Sequence, residues 1–90
     1  MDADQAEAVA LSALAFLAAN MQRLGHFLAL TGLGPAELRA KAHSPRLLAA
    51  VLDHLSRDES LLLTFASTNG LDPQLIAKAL RRLEAMEEPD

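Results

Sequence analysis

Ninety residues hold one domain and one core, and with no cysteine that core must be held by packing, without disulfides or thiolate metal sites. The hydrophobic content of 51% is mostly Ala and Leu, with three Phe and no Trp or Tyr, which favours helices over strands. A net charge of −4 gives no general attraction to nucleic acid or to an anionic membrane.

The first helix is expected from about Gln5 to Ala19, behind Asp4 as cap. Its apolar stretch, Ala8–Ala19, is too short to span a bilayer, and it follows Asp2, Asp4 and Glu7 with no cation, the wrong charge for a secretory signal. A soluble, cytoplasmic chain with no membrane contact is therefore expected. The second helix runs from Met21 to Leu30 behind Asn20, with Met21, Leu24, Phe27 and Leu28 on one face. Gly25 lies inside it, where glycine costs stability, and reads as a close helix crossing.

A third helix opens at Pro35 and ends near His43. Ser44 and Pro45 then cap and start a fourth, which has the clearest amphipathic pattern: Leu47, Leu48, Val51, Leu52 and Leu55 inward, Arg46, Asp53 and His54 outward. The fifth spans Glu59 to Thr68. Its three successive leucines, Leu61 to Leu63, cannot all face one core, and Leu63 is the candidate for partial exposure. The sixth starts at Pro73, turns Ile76, Ala79, Leu80 and Leu83 inward, and ends in an acidic tail over residues 87–90.

One short phrase occurs twice: Thr31–Pro35 reads TGLGP, and 38 residues later Asn69–Pro73 reads NGLDP. The same offset aligns Leu14 with Leu52, Leu17 with Leu55, Leu24 with Leu62, Phe27 with Phe65 and Asn20 with Asp58. Two related three-helix units follow, at approximately 5–43 and 44–87. Each phrase is readable as helix punctuation. Gly32 and Gly70 supply the left-handed residue that ends a helix, Leu33 and Leu71 fold back on it, and Pro35 and Pro73 open the next at its first position.

The first copy also resembles the hairpin of helix-hairpin-helix DNA-binding proteins, in which a Gly-hydrophobic-Gly turn aims backbone amides at a phosphate. That resemblance implies a turn of Gly32, Leu33 and Gly34 supported by Arg39 and Lys41. The second copy departs from it, because Asp72 would repel a phosphate.

Charge is unevenly spread. Residues 23–57 carry Arg23, Arg39, Lys41, Arg46 and Arg57 against Glu37 and Asp53, between acidic ends. Lys78, Arg81 and Arg82 share one side of the last helix, where they suit its dipole and can pair with acids such as Glu84. His26, His43 and His54 form neither a close helical pair nor a set with metal-ligand spacing. Asp53 and His54 are sequence neighbours and point different ways on a helix, and no serine lies in a nucleophile elbow. No catalytic constellation, metal or cofactor is implied.

Taken whole, the chain resembles a family of small alphaproteobacterial proteins catalogued as domain of unknown function 3572. The resemblance is carried by ALAFLA at Ala13–Ala18, RLGHFLALTGLGPAELR at Arg23–Arg39, LLAAVLDHL at Leu47–Leu55, DESLLLTFA at Asp58–Ala66 and GLDP at Gly70–Pro73. It implies a small helical bacterial protein and carries over no activity, cofactor or site residue.

The expectation is thus an all-α, compact six-helix single domain over residues 1–90, built from two pseudo-repeated three-helix units and acting as a non-enzymatic protein–protein interaction module, self-association included. Leu63, Lys78, Arg81 and Arg82 are its candidate partner surface. The alternative is a DNA-backbone binder acting through Gly32, Leu33, Gly34, Arg39 and Lys41.

Overall fold

The computed structural model describes residues 1–87, so residues 88–90 of the acidic tail lie outside the described residues. Six helices follow in order: α1 (Ala3–Ala18), α2 (Met21–Thr31), α3 (Pro35–Ala40), α4 (Pro45–Ser56), α5 (Glu59–Asn69) and α6 (Pro73–Met86). No strand occurs among the described residues. A Cα radius of gyration of 12.1 Å is about what a compact chain of this length should have.

α1, α4 and α6 form the body of the fold, each packed on the other two. Small residues permit this. Ala6, Ala10, Ala13 and Leu17 recur along one face of α1 and are all fully buried, so the α1 backbone can come close to its neighbours. α4 buries Leu47, Leu48, Ala49, Val51, Leu52 and Leu55, while α6 contributes Ile76, Ala79 and Leu83. Leu80, expected inward, is only half-buried. No polar or charged residue is buried among the described residues. The core is apolar throughout, and each fully buried Leu or Phe in it contributes roughly 1.5–3 kcal/mol.

α2 and α5 attach to this body through Phe27 and Phe65, both fully buried. The Phe65 ring lies 5.4 Å from that of Phe16, and the Arg23 guanidinium sits over the Phe16 ring, 4.5 Å from its centroid. That stack ties α1, α2 and α5 together.

Several local expectations need correction. The cap of α1 is Asp2, not Asp4: its carboxylate accepts from the Gln5 amide at 2.8 Å while Gln5 Oε1 accepts from the Asp2 amide at 3.2 Å, a reciprocal box that draws the helix start forward. α3 stops at Ala40, three residues short of His43, and gives way to turns. Met21 is 89% exposed and not on the buried face, because the chain bends by 113° between α1 and α2 and the first residue of α2 points away. Gly25 marks no close crossing, since a Cβ built there would meet nothing within 4 Å. No single helix among the described residues is long and apolar enough to cross a membrane.

The repeated phrase is helix punctuation at both places, by different means. Gly32 and Gly70 have φ of 75° and 63°, the left-handed region. After α5, the Leu71 amide bonds back to the Ala66 carbonyl at 2.8 Å, the long bond of a Schellman end. After α2, the Gly32 amide bonds to Leu28, and the Thr31 hydroxyl donates to the Phe27 carbonyl at 2.9 Å while accepting weakly from the Leu33 amide. Asp72 caps α6 through the Gln74 amide at 2.8 Å, whereas Gly34 and Ser44 make no side-chain cap bond. Under the 38-residue offset α2 and α5 coincide end to end; α3, at 6 residues, and α6, at 14, do not.

Candidate functional site: a groove between α2 and α4

α2 leans on α1 and stands away from α4. The separation opens a groove in three connected stretches. The widest, about 850 Å³, lies where α2 faces the α4–α5 junction and is lined by His26, Leu30, His54, Arg57, Asp58, Glu59, Ser60 and Leu63. A middle stretch of about 320 Å³ shares Leu30, His54 and Arg57 with it and adds Thr31, Ala50 and Asp53. The far stretch, about 510 Å³, takes over at Thr31 and Ala50 and ends on Leu33, Lys41, Ser44, Arg46 and Leu47.

The α4 wall is a helical stripe. Arg46, Ala50, Asp53 and Arg57 recur at intervals of three or four and so face one way, with His54 beside Asp53 at the edge of the stripe. His54 is not solvated as its outward position suggested. It is half-buried, with its ring edge-on to Phe27 at 5.2 Å and 5.7 Å from the ring of His26. Burial, then the neighbouring His26, lower its pKa, partly offset by the Asp58 and Asp53 carboxylates. Asp53 also accepts from Arg57 Nε at 2.8 Å, an exposed i,i+4 pair.

Apolar side chains line the mouth of the groove. Leu30 is 65% exposed and Leu63 47%, and both border the widest stretch. The local sequence signal for Leu63 was its place in a run of three leucines; for Leu30 there was none, since it sits at the end of an apolar helix. The approach of His26 to His54 was equally invisible, because it depends on how α2 crosses α4. His43 makes a separate contact, its Nδ1 3.1 Å from Glu7 Oε1. No group of three His, Asp or Glu suited to a metal occurs among the described residues.

The other candidate residues are dispersed. Lys78 borders a different, smaller cleft with Met1, Val9 and Leu75 between α1 and α6, apart from Leu63. Arg81 is exposed and Arg82 half-buried, and among the described residues neither forms an ion pair, with Glu84 or otherwise. Of the turn residues, Leu33 and Lys41 line the far stretch of the groove, and Arg39 is exposed outside it. The turn amides are already engaged: Gly32 with the Leu28 carbonyl at 2.8 Å, Leu33 with Thr31 Oγ1 at 3.4 Å, and Gly34 with Glu37 Oε1 at 3.4 Å. Glu37 supplies the return half of a capping box that Gly34, lacking a side chain, cannot complete. Its carboxylate stands where a phosphate would have to come.

No curated protein and no solved structure matches the chain. The family model described as "Protein of unknown function (DUF3572)" matches residues 3–86, nearly the whole of this six-helix domain, and the chain belongs to that family.

Proposed function

We propose that the protein is a non-enzymatic protein–protein interaction module that binds through the groove between α2 and α4. One observation carries the reading: Leu30 and Leu63, 65% and 47% exposed, border the same cleft. Single exposed leucines are ordinary on a protein surface, whereas two flanking one concave, partly charged surface give a partner an apolar anchor with a polar rim. A cytoplasmic setting accompanies this reading and agrees with the cysteine-free composition, and a bacterial source is what the resemblance of the sequence implies.

The alternative, DNA-backbone binding, has the exposed Arg39 and Lys41 in its favour, and against it the occupied turn amides and the Glu37 carboxylate.

The test is a photo-crosslinking residue placed at Ser60, which borders the groove without supporting the core. Crosslinks formed in cells of the source organism should disappear when Leu30→Glu and Leu63→Glu are combined. Undiminished crosslinking in that double variant would move the binding surface elsewhere.

A further inference from the structure

The groove has an electrical direction. Its far end, beside the start of α4, is lined by Lys41 and Arg46 and by no acid among the described residues. Its wide end, beside the start of α5, is lined by Asp58 and Glu59; the one arginine there, Arg57, is engaged by Asp53. Two positive charges without an ion-pair partner among the described residues thus stand at one end of α4 and two negative ones beyond its other end, the 12 residues of the helix spanning about 18 Å. Between them lies the middle stretch, where Leu30, Ala50 and the His54 ring adjoin Thr31 and the internally paired Asp53 and Arg57.

Such a surface is complementary to itself under a two-fold rotation. An axis across the middle of the stripe turns the basic end of one copy onto the acidic end of the other, and does so twice. The same rotation carries the exposed Leu63, at the wide end, towards the far stretch of the other copy, whose floor holds Leu33 and Leu47. A copy turned about an axis along the stripe would instead set like charges together. A uniformly acidic partner would be repelled at Asp58 and Glu59, and a uniformly basic one at Lys41 and Arg46.

We propose that a second copy of this chain occupies the groove, in a two-fold homodimer that places Lys41 and Arg46 of each copy against Asp58 and Glu59 of the other. This names the partner for the interaction reading and rests on it. Net charge of −4 on each copy opposes association overall, so the local pattern and the exposed Leu30 and Leu63 must outweigh a general repulsion.

Charge exchange tests the arrangement. Arg46 and Glu59 are both exposed, so reversing either leaves the core alone. Sedimentation equilibrium is run on the full chain, from about 10 μM to about 1 mM, with circular dichroism confirming that each variant is folded. Arg46→Glu alone and Glu59→Lys alone should each weaken dimerisation by about tenfold or more, because each creates two like-charge contacts. Both changes in one chain, or the two single variants mixed in equal amounts, should restore the native dissociation constant to within about threefold. A native chain that stays monomeric throughout the range overturns the proposal. So does a dimer indifferent to all the substitutions, or one that the paired changes fail to restore. A monomeric native chain whose Ser60 crosslinker still captures another protein would remove the homodimer and leave the interaction reading standing.

Discussion

The ring of His54 meets the ring of Phe27 edge-on, with centroids 5.2 Å apart and planes at 70°. Phe27 is the only fully buried side chain of α2, so this contact joins that helix to α4 through a histidine that also lines the groove. The groove and the attachment of α2 consequently share one titratable group. His26, on α2, faces His54 at 5.7 Å; Asp53 and Arg57 of α4 and Asp58 and Glu59 at the start of α5 border the same space.

Stability should fall as the medium is acidified. In the fold, burial and the neighbouring His26 favour the neutral His54 ring, so its pKa lies below the ordinary 6.5 that it regains on unfolding. Between those two values the unfolded chain holds more protons than the folded one, and stability rises with pH. The loss should therefore begin as pH drops through about 6.5 and level off below the depressed folded value. Thermal melts across this window check it. His54→Gln should flatten the slope in that window, and an unchanged slope would assign the effect to other groups.

Two glycine environments should respond to alanine with opposite signs. Gly25 is helical, exposed and clear of any neighbour within 4 Å, so Gly25→Ala should stabilise by about 0.5–1 kcal/mol through helix propensity. Gly32 and Gly70 also have open space around them, but their φ of 75° and 63° strain any Cβ. Gly32→Ala and Gly70→Ala should each cost about 1–2 kcal/mol. Urea denaturation of the three variants measures all of this in one series. A loss at Gly25 would mean that the helix there needs its glycine for a contact made outside the chain.

How far the sequence could be read follows from the range of the forces involved. Most helix ends were legible because they are local: Asn20 and Asp58 accept from the amides that a cap should satisfy, and Gly32, Gly70, Pro35 and Pro73 stand where their backbone preferences require, while the cap of α1 and the end of α3 were misplaced by two or three residues. The inward face of α4 was legible from periodicity alone, and the exposure of Leu63 from a run of leucines too long for one face. Met21 was misread because the 113° bend between α1 and α2, a tertiary matter, decides where the first residue of α2 points. The groove was invisible for the same reason. Leu30 and His26 are unremarkable on an isolated helix and acquire meaning only when α2 settles on α1 and stands off α4.

The alanine face of α1 should tolerate no enlargement. Ala10 lies between Ala6 and Ala13 at full burial, on the helix that packs against both α4 and α6. Ala10→Leu adds three carbons where the neighbouring helices leave no exposed surface, and should cost roughly 1–3 kcal/mol through overpacking. Ala15→Leu, at an exposed position of the same helix, should change stability by less than about 0.5 kcal/mol. Comparable losses in the two variants would show that the penalty comes from α1 itself and not from its packing.

A short DNA duplex added at low salt should leave the amide resonances of residues 32–36 in place. The donors that a phosphate would need are engaged within the chain, by the Leu28 carbonyl, Thr31 Oγ1 and Glu37 Oε1, and the last of these is a carboxylate that repels the ligand. Glu37→Ala removes that carboxylate and releases the Gly34 amide, so it is the variant in which any latent affinity of the turn would appear. If the occupied amides are the reason for silence, weak shifts should emerge only in the variant and vanish with added salt, since phosphate contacts release counterions. Salt-reversible shifts centred on residues 32–36 of the native chain would instead make the turn a phosphate cradle, with Arg39 and Lys41 as its support.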